Sequence, residues 1–144
     1  MIFLSVLVLG KKGGAAAAGL GSGLCDLLGG YAAYAPWTFI IKGLMGFIMG
    51  VFIERALKKK KHHMKIGSVP VIEIAGMVIA GIEMVIGYAV VDGVLAGNMI
   101  SGLLGAPFNV AQFTVGLILA VILAMALYKT PARKLFAYRI DEIA

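Results

Sequence analysis

Apolar runs separated by short polar or glycine-rich breaks divide the chain. Residues 1–10, MIFLSVLVLG, are almost wholly apolar and stop at Lys11 and Lys12. As a helix rising 1.5 Å per residue this run reaches about 15 Å, half the hydrocarbon thickness of a bilayer. A second run over 13–30 carries small residues at four-residue spacing, Ala15, Gly19 and Gly23, then Ala18 and Ser22. Such a face lets helix backbones approach closely in lipid. The stretch 31–37, YAAYAPW, breaks the pattern: Pro36 removes a backbone donor and pushes Ala35 out of the helical region. A third run is expected from Thr38 to Ala56, ending in the basic loop ERALKKKKHHMK.

From Val71 to Val91 the chain is apolar except for Glu73 and Glu83; as a helix this is about 32 Å, enough to span. Glu73, near Lys65, reads as an interfacial residue at the inner end, and Tyr88 and Asp92 mark the outer boundary. Residues 93–106, GVLAGNMISGLLGA, read as a loop or short interfacial helix. Pro107 then fits the first turn of the last span, 107–128, where its missing N–H costs nothing. The tail 129–144 is mixed and basic and reads as an amphipathic helix on the cytoplasmic surface of a single membrane domain, 1–144.

Composition agrees with a bilayer as solvent. The mean hydropathy is +1.00, and 61% of residues are hydrophobic against 14% charged, where soluble domains carry roughly 25%. The formal charge of +6 suggests nucleic acid only until the 13 Lys and Arg are placed. With the Lys11–Lys12 turn, the KKKKHH loop and the tail on the cytoplasmic side, 12 of the 13 lie inside and Lys42 alone is left over. The runs then alternate in direction, starting with 1–10 descending to the cytoplasm. Cys25 has no partner for a disulfide and reads as a small packing residue. His62 and His63 lack a third ligand, so no metal is expected. The chain carries no GxxxxGK[ST] loop, which leaves ATP hydrolysis to a partner, and no nucleophile and base arrangement that would make it an enzyme; no cofactor is implied.

Residues FLSVLVLGKKGGAAAAGLGSGLCDLLGGYAAYAPWTFIIKGLMG, the Gly87–Tyr88 pair and NVAQ from Asn109 to Gln112 resemble the S component of energy-coupling-factor (ECF) vitamin transporters, particularly the hydroxymethylpyrimidine or pyridoxine subgroup. The resemblance runs from Ile2 to about Tyr128 and implies an all-α polytopic transmembrane helical bundle with about five hydrophobic segments, the first half-length. It further implies a multi-pass protein of a prokaryotic plasma membrane that captures a vitamin or precursor from outside. Its partners would be a shared transmembrane subunit and two ATPase subunits. Set against the family's six helices, the chain would start inside the second, without the first helix and the lid loop after it, and transport by this chain would be impaired. A small multidrug-type proton-coupled exporter using Glu83, or a fragment without a ligand, are the alternative readings.

Asp26, Lys42 and Glu83 fall within apolar spans, where an unpaired charge costs about 2.5–3.5 kcal/mol on insertion scales. Asp26 and Lys42 can form a salt bridge across the hairpin, and either can also hold a polar ring substituent. Glu83 is a site candidate or a protonated acid bonded to a neighbouring helix. Asn109 and Gln112 are three apart, hence on one helix face, and can read the donors and acceptors of a heterocycle or join helices. Tyr34 and Tyr88 can stack on a flat ring, whereas Trp37 reads as an interfacial anchor.

Overall fold

The computed structural model describes residues 2–58 and 64–138; His62, His63 and most of the lysine-rich loop lie outside them. Helix α1, Ile2–Leu28, is interrupted at Gly10, whose φ of 72° and ψ of −176° no other residue adopts without strain. The chain doubles back there. Ser5 Oγ donates to the Gly14 carbonyl at 3.3 Å, and a Cβ on Gly14 would lie 2.4 Å from Val6 Cα. In a straight helix residues 5 and 14 would stand about 13 Å apart. The short first run and the reversal at the lysine pair are therefore as the sequence predicts.

Helix α2, Ala35–Lys58, starts at Ala35 instead of Thr38. Pro36 lies in its first turn, where a missing N–H is tolerated, so it does not hold Ala35 outside the helix. The two helices pack on small residues: a Cβ on Gly19 would come within 2.7 Å of the Phe39 carbonyl oxygen. A two-residue antiparallel hairpin, β1 Lys65–Ile66 and β2 Val69–Pro70, turns at Gly67 and leads into α3, Val71–Leu95.

Between α3 and α4, Met99–Tyr128, only residues 96–98 are non-helical, which corrects the expected loop or short interfacial helix over 93–106: its ends belong to the two long helices. Gly97 takes φ 64° after the α3 cap, and the Asn98 side chain caps α4 by accepting the Ile100 N–H at 3.0 Å. Pro107 consequently sits inside α4 rather than in its first turn. One missing helical N–H is less costly in lipid than a stretch of unpaired coil, so the helix continues through it.

Among the described residues four helices, Ile2–Leu28 taken with its reversal at Gly10, Ala35–Lys58, Val71–Leu95 and Met99–Tyr128, are long and apolar enough to cross a membrane. With their lipid-like exterior they make an all-α polytopic bundle. Its core is Val6, Leu7, Met45, Met49, Ile53, Met77, Ala80, Met84, Ala120 and Ala124. Large exposed side chains on α4, among them Leu103, Phe108, Ile118 and Ile122, suit contact with acyl chains.

The described part of the tail corrects the expected surface helix. A 3-10 turn, Pro131–Leu135, is followed by Phe136 and Tyr138, both buried against the bundle. Ala137 N–H donates to the Leu7 carbonyl at 2.8 Å, satisfying a group near the helix break at Gly10. Glu73, expected at the interface, is fully buried and accepts a hydrogen bond from the Tyr128 hydroxyl. Lys11 pairs with Glu54 at 2.6 Å at this same end of the bundle.

Candidate ligand-binding site

The opposite end holds the polar groups. Residues 29–34 join α1 to α2, and residues 96–98 join α3 to α4. Helical spacing sets the rest: Thr38 and Lys42 on α2 and Tyr88 and Asp92 on α3 are each one turn apart, as are Asn109 and Gln112 on α4. Each pair therefore presents one polar stripe. The stripes and Asp26 of α1 surround a crevice with two lobes. One, of about 370 Å³, is lined by Asp26, Tyr31, Tyr34, Thr38, Tyr88, Asp92, Asn109 and Gln112. The other, about 470 Å³, shares Asp26, Thr38, Tyr88 and Gln112 with it and adds Lys42, Ser5, Ser22 and Cys25.

Tyr88 donates to Thr38 Oγ1 at 3.0 Å, tying α3 to α2 across the crevice. Lys42 is 6% exposed. Its Nζ lies 2.8 Å from Met84 Sδ and 5.0 Å from the centre of the Tyr88 ring. The expected Asp26–Lys42 salt bridge is not formed, because the lysine turns toward α3 instead of across the hairpin. Asp26 and Glu83 remain within Coulombic reach of it. At the rim, burial and then the neighbouring Asp92 carboxylate hold the Tyr34 hydroxyl above the usual tyrosine pKa.

Six of the residues singled out from sequence, Asp26, Tyr34, Lys42, Tyr88, Asn109 and Gln112, are thus brought to one crevice. Glu83 does not line either lobe. Five residues from Tyr88, it points about 140° away around α3, and its Oε2 is buried without a hydrogen-bond partner among the described residues. Trp37 is exposed away from the crevice. Cys25 is exposed and lines the second lobe, so it is not a packing residue. Asp92, read from sequence as an outer boundary, and Thr38, at the start of the expected third run, also join the site. Their one-turn spacing from Tyr88 and Lys42 was the available signal.

A family model described as ECF-type riboflavin transporter, S component, matches residues 1–129. A protein of Pyrococcus woesei, described as "Uncharacterized protein in gap 3'region", is 37% identical over 97 residues, 67% of this chain. The chain spans 57% of that relative's length. No solved structure matches.

Proposed function

We propose that this chain, which belongs to the family of ECF-type riboflavin transporter S components, captures a flat heterocyclic vitamin or vitamin precursor in the crevice between the α1–α2 bend, α3 and the start of α4. The family makes it a non-enzymatic, substrate-binding subunit of an ECF transporter and a multi-pass membrane protein. The family is not one of exporters, so nothing favours the proton-coupled reading built on Glu83. In the finer reading, the crevice opens to the outside of a prokaryotic plasma membrane. The loaded subunit then delivers its ligand with a transmembrane subunit and two ATPases.

One observation carries this reading: polar side chains from four helices and a bend converge on one crevice in a bundle whose core and outer face are mostly apolar. Polar groups in a membrane interior are costly unless they serve a ligand, a pathway or each other. A vitamin-sized heterocycle needs a few placed donors and acceptors within an apolar surround, together with aromatic faces to stack on. Asn109 and Gln112 supply the former, and Tyr34 and Tyr88 the latter.

Calorimetry on the purified chain with riboflavin, pyridoxine and hydroxymethylpyrimidine tests the proposal. One of these should bind, and Asn109→Ala and Gln112→Ala should each cost about 0.5–1.5 kcal/mol, a severalfold loss of affinity. Ile118→Ala, on the exposed face of α4, should leave affinity unchanged. Binding that ignores both polar substitutions would place the site elsewhere.

A further inference from the structure

The basic end of the bundle, opposite the crevice, carries charge that the fold itself leaves unused. Of the carboxylates described there, Glu54 takes Lys11 and faces the Tyr138 hydroxyl, and Glu73 is buried against Tyr128. Lys65 and Lys129 are exposed, and neither meets a carboxylate at ion-pairing distance among the described residues. One contact joins them. Lys129 caps α4 four residues beyond Met125, hence on the same side of the helix. The Met125 side chain in turn packs on the hairpin turn, its Cε 3.3 Å from where a Cβ on Gly67 would stand. Lys65 opens that hairpin two residues before Gly67.

Towards the middle of the bundle this face of α4 is aliphatic. Ile122 and Ile118 stand three and seven residues before Met125, on its side of the helix, and are 56% and 53% exposed. About 10 Å of helix rise separates Ile122 from Lys129. When the two isoleucines lie among acyl chains, the lysine therefore stands at the headgroups, where its stem can follow the apolar surface and its ammonium stays in the polar layer. Met64 and Ile66, on either side of Lys65, are exposed as well and extend the apolar border of the cationic pair.

We propose that this face holds one anionic phospholipid, its phosphate between Lys65 and Lys129 and an acyl chain along Ile122 and Ile118. The site lies at the opposite end from the ligand crevice and does not depend on what the crevice binds. Two ammonium groups without carboxylate partners match a phosphodiester that has no cation of its own. A zwitterionic lipid brings a positive group that the same two lysines repel. Each lysine at an anionic membrane surface contributes about fivefold in affinity, and the aliphatic stripe distinguishes a lipid from a soluble phosphate.

Native mass spectrometry of the purified full chain, titrated with phosphatidylglycerol and phosphatidylcholine of identical acyl chains, tests the proposal. The first phosphatidylglycerol should bind roughly tenfold or more tightly than the first phosphatidylcholine. In the Lys65→Gln and Lys129→Gln double variant the difference should shrink to about twofold. The Lys12→Gln and Arg55→Gln double variant removes the same charge from exposed positions on α1 and α2 and should keep the preference. Thermal midpoints in lipid-free detergent should be alike for all three chains, because every substituted side chain is exposed. Equal loss in both double variants would mean diffuse attraction by the whole basic end and sink the site. Glycerol 1-phosphate competing as strongly as the lipid would make it a phosphate site and exclude the acyl-chain contact. No preference in the unsubstituted chain would leave these cations to an acidic partner chain, and the proposal would fail.

Discussion

At the scale of single residues, the closest backbone approach in the bundle decides which glycines can be changed. A Cβ on Gly102 would sit 1.9 Å from the Ala89 carbonyl oxygen and 2.9 Å from the Gly93 amide nitrogen, both main-chain atoms of the facing helix that cannot swing away. Around Gly116, farther along the same helix, nothing lies within 4 Å of the added carbon. Overpacking costs about 1–3 kcal/mol, whereas Gly to Ala in an open helix interior returns about 0.5–1 kcal/mol. Gly102→Ala should therefore lower the thermal midpoint of the detergent-solubilised chain, and Gly116→Ala should leave it unchanged or raise it. The small-residue pattern is visible in sequence, but partners are not. GVLAGNMISGLLGA reads as a loop because glycine is both a breaker and a contact residue, and only the αL turn at Gly97 followed by the Asn98 cap separates the two uses. Glu73 reads as interfacial for a related reason: its distance from the bundle end is legible in sequence, but its hydrogen bond to Tyr128, 55 residues away, is not.

Among the elements, α1 and the tail depend on one another. Gly10 reverses α1, and the tail docks beside the reversal with one contact to each of three helices: Ala137 N–H to the Leu7 carbonyl of α1 at 2.8 Å, Phe136 edge-on to Tyr128 of α4 at 4.6 Å between ring centres, and the Tyr138 hydroxyl at 3.5 Å from Glu54 Oε1 of α2. Glu54 also takes Lys11 at 2.6 Å, so one carboxylate joins α1, α2 and the tail. Burial first, and then the Glu54 charge, push the Tyr138 pKa up to about 12. Because the folded value exceeds the usual tyrosine value, docking is favoured by the neutral phenol. This contribution is full below about pH 10 and is lost as pH rises through about 12. Comparing tyrosinate absorbance of the chain with that of Tyr138→Phe should show the missing step near pH 12; a step near the ordinary tyrosine value would mean that the tail is undocked. The first arm of α1 carries Ser5 and Ile2 to the second lobe. Tyr138→Ala should therefore loosen the reversal and weaken ligand affinity about twofold to fivefold, a modest effect because no binding residue is touched. The reversal itself was legible from an apolar run too short to span followed by two lysines. The docking of the tail was not, since RKLFAY reads equally as a surface helix.

For the molecule as a whole, charge and chemistry are separated along the bundle axis. Described lysines and arginines other than Lys42 cluster with the Gly10 reversal, the hairpin and the tail, while Asp26, Asp92 and the tyrosines Tyr31, Tyr34 and Tyr88 gather at the other end. Basic residues near span ends are retained in the cytoplasm; under the proposed function this asymmetry is what would turn the crevice outward, as capture for import requires. The axial order was readable from sequence because lysine clusters and apolar runs set it. The register that puts Thr38 opposite Tyr88 was not, because it depends on where α2 begins. Orientation can be checked directly. In a Cys25→Ala background, Ala96→Cys lies in the exposed turn between α3 and α4, and Lys134→Cys lies in the exposed 3-10 turn at the opposite end. An impermeant maleimide applied to intact cells should modify position 96 and reach position 134 only after the membrane is opened. Both sites are exposed in the folded chain, so failure to label cannot be assigned to burial by the protein itself. The reverse pattern would turn the crevice towards the cytoplasm. Capture from outside would then be untenable even if vitamin binding were demonstrated on the purified protein.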